Sequence, residues 1–186
     1  MSCEILDRIR DRLTSHPPRQ AFAPASEDML AEEEASLGFG IPPLLRQLCT
    51  EIANGGFGPG YGIIGVGGGH ASDLGTLARA CHEIQRGAAY LGLPWKTGVL
   101  PFCGWGDNIF SCVDCNDMHY PVIQSEGCRT RVQDYTLDDF FSMWLDGADI
   151  LNIGNPPKRK TTIVNPFTRK NTSVIGARLP KAPGEG

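Results

Sequence analysis

Between Val99 and Gln133 the chain carries apolar runs so closely spaced that they can pair in few ways. Val99-Leu-Pro-Phe-Cys103 reads as the end of a strand, Gly104-Trp105-Gly106 as a corner, and Asn108 to Asp114 as the next strand. Pro121-Val-Ile-Gln124 reads as its partner, and Arg129 to Gln133 as a short strand with its charges outward. Strands joined by short turns pair antiparallel, because a parallel pair needs a crossover of about a dozen residues or more. The segments on either side have helical periodicity. The expected fold is therefore α+β, an antiparallel or mixed sheet with about five helices packed on it.

The helices are read from their apolar stripes and caps. Ile5, Leu6, Ile9 and Leu13 form one stripe over residues 2–13, stopped by Pro17-Pro18. Ser26 caps a second helix over 27–37, with Met29, Leu30, Glu33 and Leu37 on its inward side and Gly38 at its end. On this reading Glu32-Glu33-Glu34 is a solvated face. Ile41-Pro42-Pro43 opens a third helix with Leu44, Leu45, Leu48 and Ile52 inward, stopped by Asn54-Gly55-Gly56. Ser72 or Asp73 caps a fourth over about 73–89. Thr136 to Asp139 opens a fifth, whose Phe140, Phe141, Trp144 and Leu145 should close the core. A base-stacking platform is the functional alternative for that aromatic face.

Residues 55–69 are dense in glycine and contain Gly60-Tyr-Gly62-Ile-Ile-Gly65, a match to G-x-G-x-x-G. A dinucleotide cradle needs a strand before that pattern and a helix opening within it. Here a helix precedes it, and Tyr61 to Val66 reads as a strand. The segment is a loop and hairpin edge, with no cofactor expected.

Charge is distributed unevenly. Residues 154–186 hold seven basic residues against Glu185 alone, a net +6, while the preceding 153 hold ten basic and twenty acidic residues, a net −10. We therefore expect an acidic domain over 1–153 and a basic, proline-rich tail over 154–186 that folds back on it, with Thr161 to Val164 able to add a strand at a sheet edge. An acidic surface repels nucleic acid and attracts basic partners. The N-terminus has no signal-peptide pattern and no run is long enough to span a membrane, so a cytoplasmic protein with no membrane partner is expected.

Seven cysteines in a chain of this length point to reduced, largely buried thiols rather than a disulfide scaffold. Cys112-x-x-Cys115-x-x-x-His119 has zinc-knuckle spacing, with Cys103 and Cys128 near it in sequence. Strand alternation opposes that reading, since it sends Cys112 and Cys115 to opposite faces. A cysteine nucleophile would need His70, His82 or His119 as its base, and none lies in a local hydrolase signature. No Gly-x-Ser-x-Gly elbow is present. The many Asp residues from Asp107 to Asp139 mostly sit at turns or a helix start. No residue pattern compels an enzyme, and no catalytic, cofactor or metal residue is expected. A small zinc-binding or Cys-dependent domain using Cys112, Cys115 and His119 is the alternative.

Three signatures stand in order along the chain. The first is Leu37-Gly38, Ile41-Pro42, a leucine-rich helix and Asn54-Gly55-Gly56. The second is Leu100-Pro101, Trp105-Gly106 and Ile109 to Asp114, followed by Pro121-Val122. The third is the aromatic helix from Leu137 to Leu145. They cover about residues 26–147, and together they resemble the SUKH superfamily, the domain of the fungal cell-wall-assembly regulator (Smi/Knr-like) and of many bacterial toxin-immunity proteins. The resemblance implies a twisted, mainly antiparallel sheet and a non-enzymatic protein-binding module. In bacteria it implies an immunity protein that neutralises a toxin, often a nuclease, by covering its active surface. The basic tail and the glycine-rich loop depart from the family pattern. Loops held on a rigid sheet commonly carry recognition. Tyr61, Trp105, Asp107, Asp114 and Asp117 are therefore the candidate partner-binding residues. A regulatory or scaffold subunit binding through the basic tail is a further alternative.

Overall fold

The computed structural model describes residues 2–152, 160–164 and 171–175, with side chains from Glu4 to Asn152. The chain forms two compact units, Met1–Leu151 and Asn152–Gly186. The first is α+β, with five helices and a five-stranded antiparallel sheet. Its helices are α1 (Ser2–Ser15), α2 (Glu27–Leu37), α3 (Pro43–Gln47), α4 (Leu77–Tyr90) and α5 (Leu137–Leu145). Its strands are β1 (Gly62–Ile63), β2 (Val99–Gly106), β3 (Ile109–Asp114), β4 (Pro121–Glu126) and β5 (Arg129–Thr136). Among the described residues, no helix is long and apolar enough to cross a membrane.

The sheet order is β1-β2-β3-β4-β5, so each strand lies beside its neighbour in sequence. β2 continues through Gly104-Trp105-Gly106 instead of turning there. The corner falls two residues later, at Asp107-Asn108, where both residues have positive φ (51° and 58°) and Gly106 pairs with Ile109. Such a two-residue turn matches the right-handed twist of its flanking strands. β2 and β3 are buried over nearly all their length, as strands covered on both faces must be. Helix α4 packs on β2, α5 on β4 and β5, α1 on α5, and α2 on α4.

Helix α5 closes the core as its aromatic pattern predicts. Phe102 of β2 meets Phe140 edge-on at 4.9 Å between centroids, and Phe140 meets Phe141 at 5.4 Å. All three are fully buried, which removes the stacking-platform alternative. Thr136 and Asp139 form a capping box that satisfies the helix's first N–H groups.

Three helical expectations shift. Helix α3 loosens into a π-helical turn over Leu48–Ile52. Helix α4 begins at Leu77, not near Asp73, because Ser72 is spent on a tight turn, donating to the Gly75 carbonyl and accepting from the Leu74 N–H. The Glu32-Glu33-Glu34 run is not a solvated face. Glu33 is buried, and its carboxylate accepts from the Ala78 N–H at 2.7 Å and the Gly67 N–H at 3.2 Å. It thus caps α4 from another helix, where Thr76 makes no side-chain cap. Glu34 accepts from the Ile41 N–H and pairs with Arg46.

In the second unit, β6 (Lys160–Val164) pairs with β7 (Asn171–Ile175) in a two-stranded antiparallel sheet. The strand expected from Thr161 to Val164 therefore joins a local hairpin and not an edge of the five-stranded sheet. The expected folding back of the tail on the acidic domain rests on residues 153–159, 165–170 and 176–186, which lie outside the described residues.

Candidate functional site

The five candidate residues divide between the two ends of the β2–β3 hairpin. Tyr61, Trp105 and Asp107 share the turn end. The glycine loop that delivers Tyr61 is built on Asn54. This side chain is buried, accepts from the Val66 N–H at 2.9 Å, and fits only because Gly65 and Gly69 pass against it. The strand expected over Tyr61 to Val66 shrinks to Gly62–Ile63, paired with Gly104 and Cys103. The Tyr61 N–H extends that pairing, donating to the Gly104 carbonyl at 2.8 Å.

The two rings at this end lie against glycines of the opposite segment. A Cβ on Gly60 would come within 2.8 Å of the Trp105 ring, and one on Gly106 within 2.6 Å of the Tyr61 ring. The Trp105 indole N–H donates to Ser111 Oγ at 2.9 Å, which fixes the half-buried ring on β3. Tyr61 remains 70% exposed, and Asp107 stands exposed in the turn beside it.

Asp114 is the last residue of β3 and Asp117 lies just past it, at the end of the strand opposite Asp107 and roughly 20 Å from it at about 3.3 Å per residue. Asp114 is buried and accepts from Lys96 Nζ at 2.5 Å, the Asn116 N–H at 3.1 Å and Asn116 Nδ2 at 3.2 Å. Burial pushes its carboxyl upward, but the Lys96 and Asn116 hydrogen bonds outweigh it, and the group lies below the ordinary Asp value. Asp114 therefore ties the Lys96 turn to the sheet. Asp117 is exposed and accepts from the His119 N–H at 2.9 Å, an Asx turn of the loop before β4. The structure does not bring these two carboxylates together with Tyr61 and Trp105.

Sequence reasoning missed a cavity of about 100 Å³ at the Tyr61 end. Its rim carries the exposed Tyr61, Asp73 and Asn108, and its deeper wall the buried Ile64, Gly104 and Phe110. Sites for metabolites and cofactors usually occupy about 300–1,000 Å³. This one holds about one side-chain head group. His70 lies on the wall, edge-on to Phe22 at 5.5 Å. Gly104 reads as a corner residue in the sequence, and only the extension of β2 to Gly106 makes it a glycine inside a strand, the mark of a close approach.

The thiols are arranged differently from a reactive or metal-binding set. Burial pushes Cys81 up to about 11 and Cys49 and Cys115 up to about 12. Cys103 and Cys112 are driven higher still, by the same desolvation. Nucleophilic and metal-binding cysteines need the opposite shift. Cys81, Cys103, Cys115 and Cys128 direct their Sγ atoms at backbone carbonyls. Cys115 lies past the last residue of β3, and His119 is exposed in the next turn. Among the described residues, no group of three or more His, Cys, Asp or Glu side chains is placed to hold a metal ion, so Cys112, Cys115 and His119 form no such centre.

No family model matches the chain, and no curated protein matches it. The SUKH resemblance rests on its three ordered signatures, which occupy α2 to Gly56, β2 to β4, and α5.

Proposed function

We propose that the chain is a non-enzymatic protein-binding module of the SUKH type. Its partner is a basic toxin domain, such as a nuclease, which it neutralises as an immunity protein by covering the active surface. The observation that carries this reading is the Tyr61 corner. A large amphipathic ring is exposed there, yet it is held by backbone pairing and close glycine packing, so little side-chain freedom remains to be lost on binding. Tyrosine and tryptophan in such settings are the usual anchors of protein interfaces. The −10 charge of residues 1–153 complements a nuclease groove, which must be basic to hold a phosphate backbone. The small cavity and the upward-shifted thiols favour recognition over catalysis.

The test is direct binding of the purified full chain to toxin domains encoded beside it. A partner with Kd below about 10 μM, roughly −7 kcal/mol, is expected, and Tyr61→Ala should weaken it by about tenfold or more. Absence of any partner tighter than that limit would overturn the reading.

A further inference from the structure

The cavity beneath Tyr61 exists because position 104 is glycine, and neither the backbone nor crowding demands glycine there. Gly62 and Gly106, on the same wall, have φ of 97° and 85°, and a Cβ on either would meet atoms at 3.1 and 2.6 Å. Those two are required by the fold. Gly104 has no positive φ, and a Cβ on it would lie 3.9 Å from both Phe110 Cε1 and Ser72 Cβ, ordinary contact with two other lining residues. Glycine within a strand weakens it and is used where something must approach closely. Here the space it leaves is the cavity itself.

The chemistry of the wall selects what enters. Phe110, Ile64 and the Tyr61 ring give an apolar passage with an aromatic face. The Ser72 hydroxyl is already engaged within its own turn. Two exposed carboxylates stand at this end: Asp73 on the rim, and Asp107 in the turn between the lining residues Gly106 and Asn108. Neither has an ion pair or side-chain hydrogen bond among the described residues. An apolar passage, an aromatic face and acceptors at the mouth suit a long basic side chain, whose stem packs while its charge meets carboxylate.

We propose that this cavity receives one arginine side chain projected by the partner. The inference rests on the protein-binding reading and specifies the partner's contact chemistry. The guanidinium stacks on Tyr61 and pairs with Asp73, with Asp107 adding to the local field. Arginine fits better than lysine because its planar head both stacks and hydrogen-bonds.

The probe is N-acetyl-arginine N′-methylamide, titrated into the ¹⁵N-labelled full chain and followed by amide chemical shifts. Its citrulline counterpart, nearly isosteric and uncharged, is the control. The arginine probe should give saturable shifts, of millimolar affinity, confined to Tyr61–Ile64, His70–Asp73 and Gly104–Phe110. Asp73→Asn should weaken it by about two- to fivefold, the usual worth of one exposed ion pair. Gly104→Val, which fills the cavity, should abolish the shifts, and Gly104→Ala, which the wall accommodates, should reduce them. Equal shifts from citrulline, or full binding by a folded Gly104→Ala or Gly104→Val protein, would overturn the proposal. The probe needs no partner, so the two readings fail separately. A toxin domain bound equally well by wild type and Gly104→Val would remove the pocket and leave the protein-binding module standing.

Discussion

Asp114 and Glu33 show how a single acidic residue can be assigned to solvent by its sequence and to structure by its neighbours. At Asp114 the folded protein lowers the carboxyl below its unfolded value, because the Lys96 and Asn116 hydrogen bonds exceed the effect of burial. The resulting stability is fully present above the unfolded Asp value of about 3.9 and is lost as pH falls through the lower folded value. Urea unfolding between pH 2 and 6 should therefore show a steeper acid loss in wild type than in Asp114→Asn; identical slopes would refute the assignment. Nothing in the local sequence distinguishes Asp114 from Asp117, because the partner Lys96 lies eighteen residues away. Glu33 did carry a sign, since it occupies the inward stripe of α2 with Leu30 and Leu37. The adjacent Glu32 and Glu34 made the run look solvated, while the groups that claim Glu33, Gly67 and Ala78, are far along the chain.

At the scale of elements, Glu33 becomes a clamp joining α2, the glycine loop and the start of α4. Glu33→Ala would strand the buried Ala78 N–H and release Gly67, and should destabilise the fold by about 2–3 kcal/mol. Glu33→Gln, which keeps one acceptor, should lose less. Denaturant titration of the two variants checks both the size and the order. Elements defined by their own residues were legible in the sequence: α2 with Ser26 and Gly38, α5 with its Thr136 cap, and β3 with its apolar run. Elements defined by distant contacts were not. Helix α4 starts late because Ser72 and Gly75 close a turn first, and β1 shortens because Asn54 gathers the following residues into its own hydrogen bonds. The candidate site was half legible. Tyr61, Trp105 and Asp107 share the turn end of the hairpin, whereas the cavity beside Tyr61 depends on the wall formed by His70 to Asp73, which no local pattern announces.

For the whole molecule, the governing property is charge. An acidic domain of net −10 should speed its encounter with a basic partner, and salt should remove that gain. With a cognate toxin domain in hand, stopped-flow association should slow by about tenfold or more between 0.05 and 0.5 M NaCl, with a smaller change in dissociation. A salt-independent association rate would show that the charge does not steer this encounter. The sheet has a different consequence. Its strands neighbour one another in the order in which they are synthesised, so β2–β3 and β4–β5 each close through two-residue turns. Contact order in this half of the protein is low for a β-structure, and the search for partners is short. The β2–β4 meander should therefore form early, on about the millisecond scale, with the long-range Glu33 and Asn54 contacts consolidating afterwards.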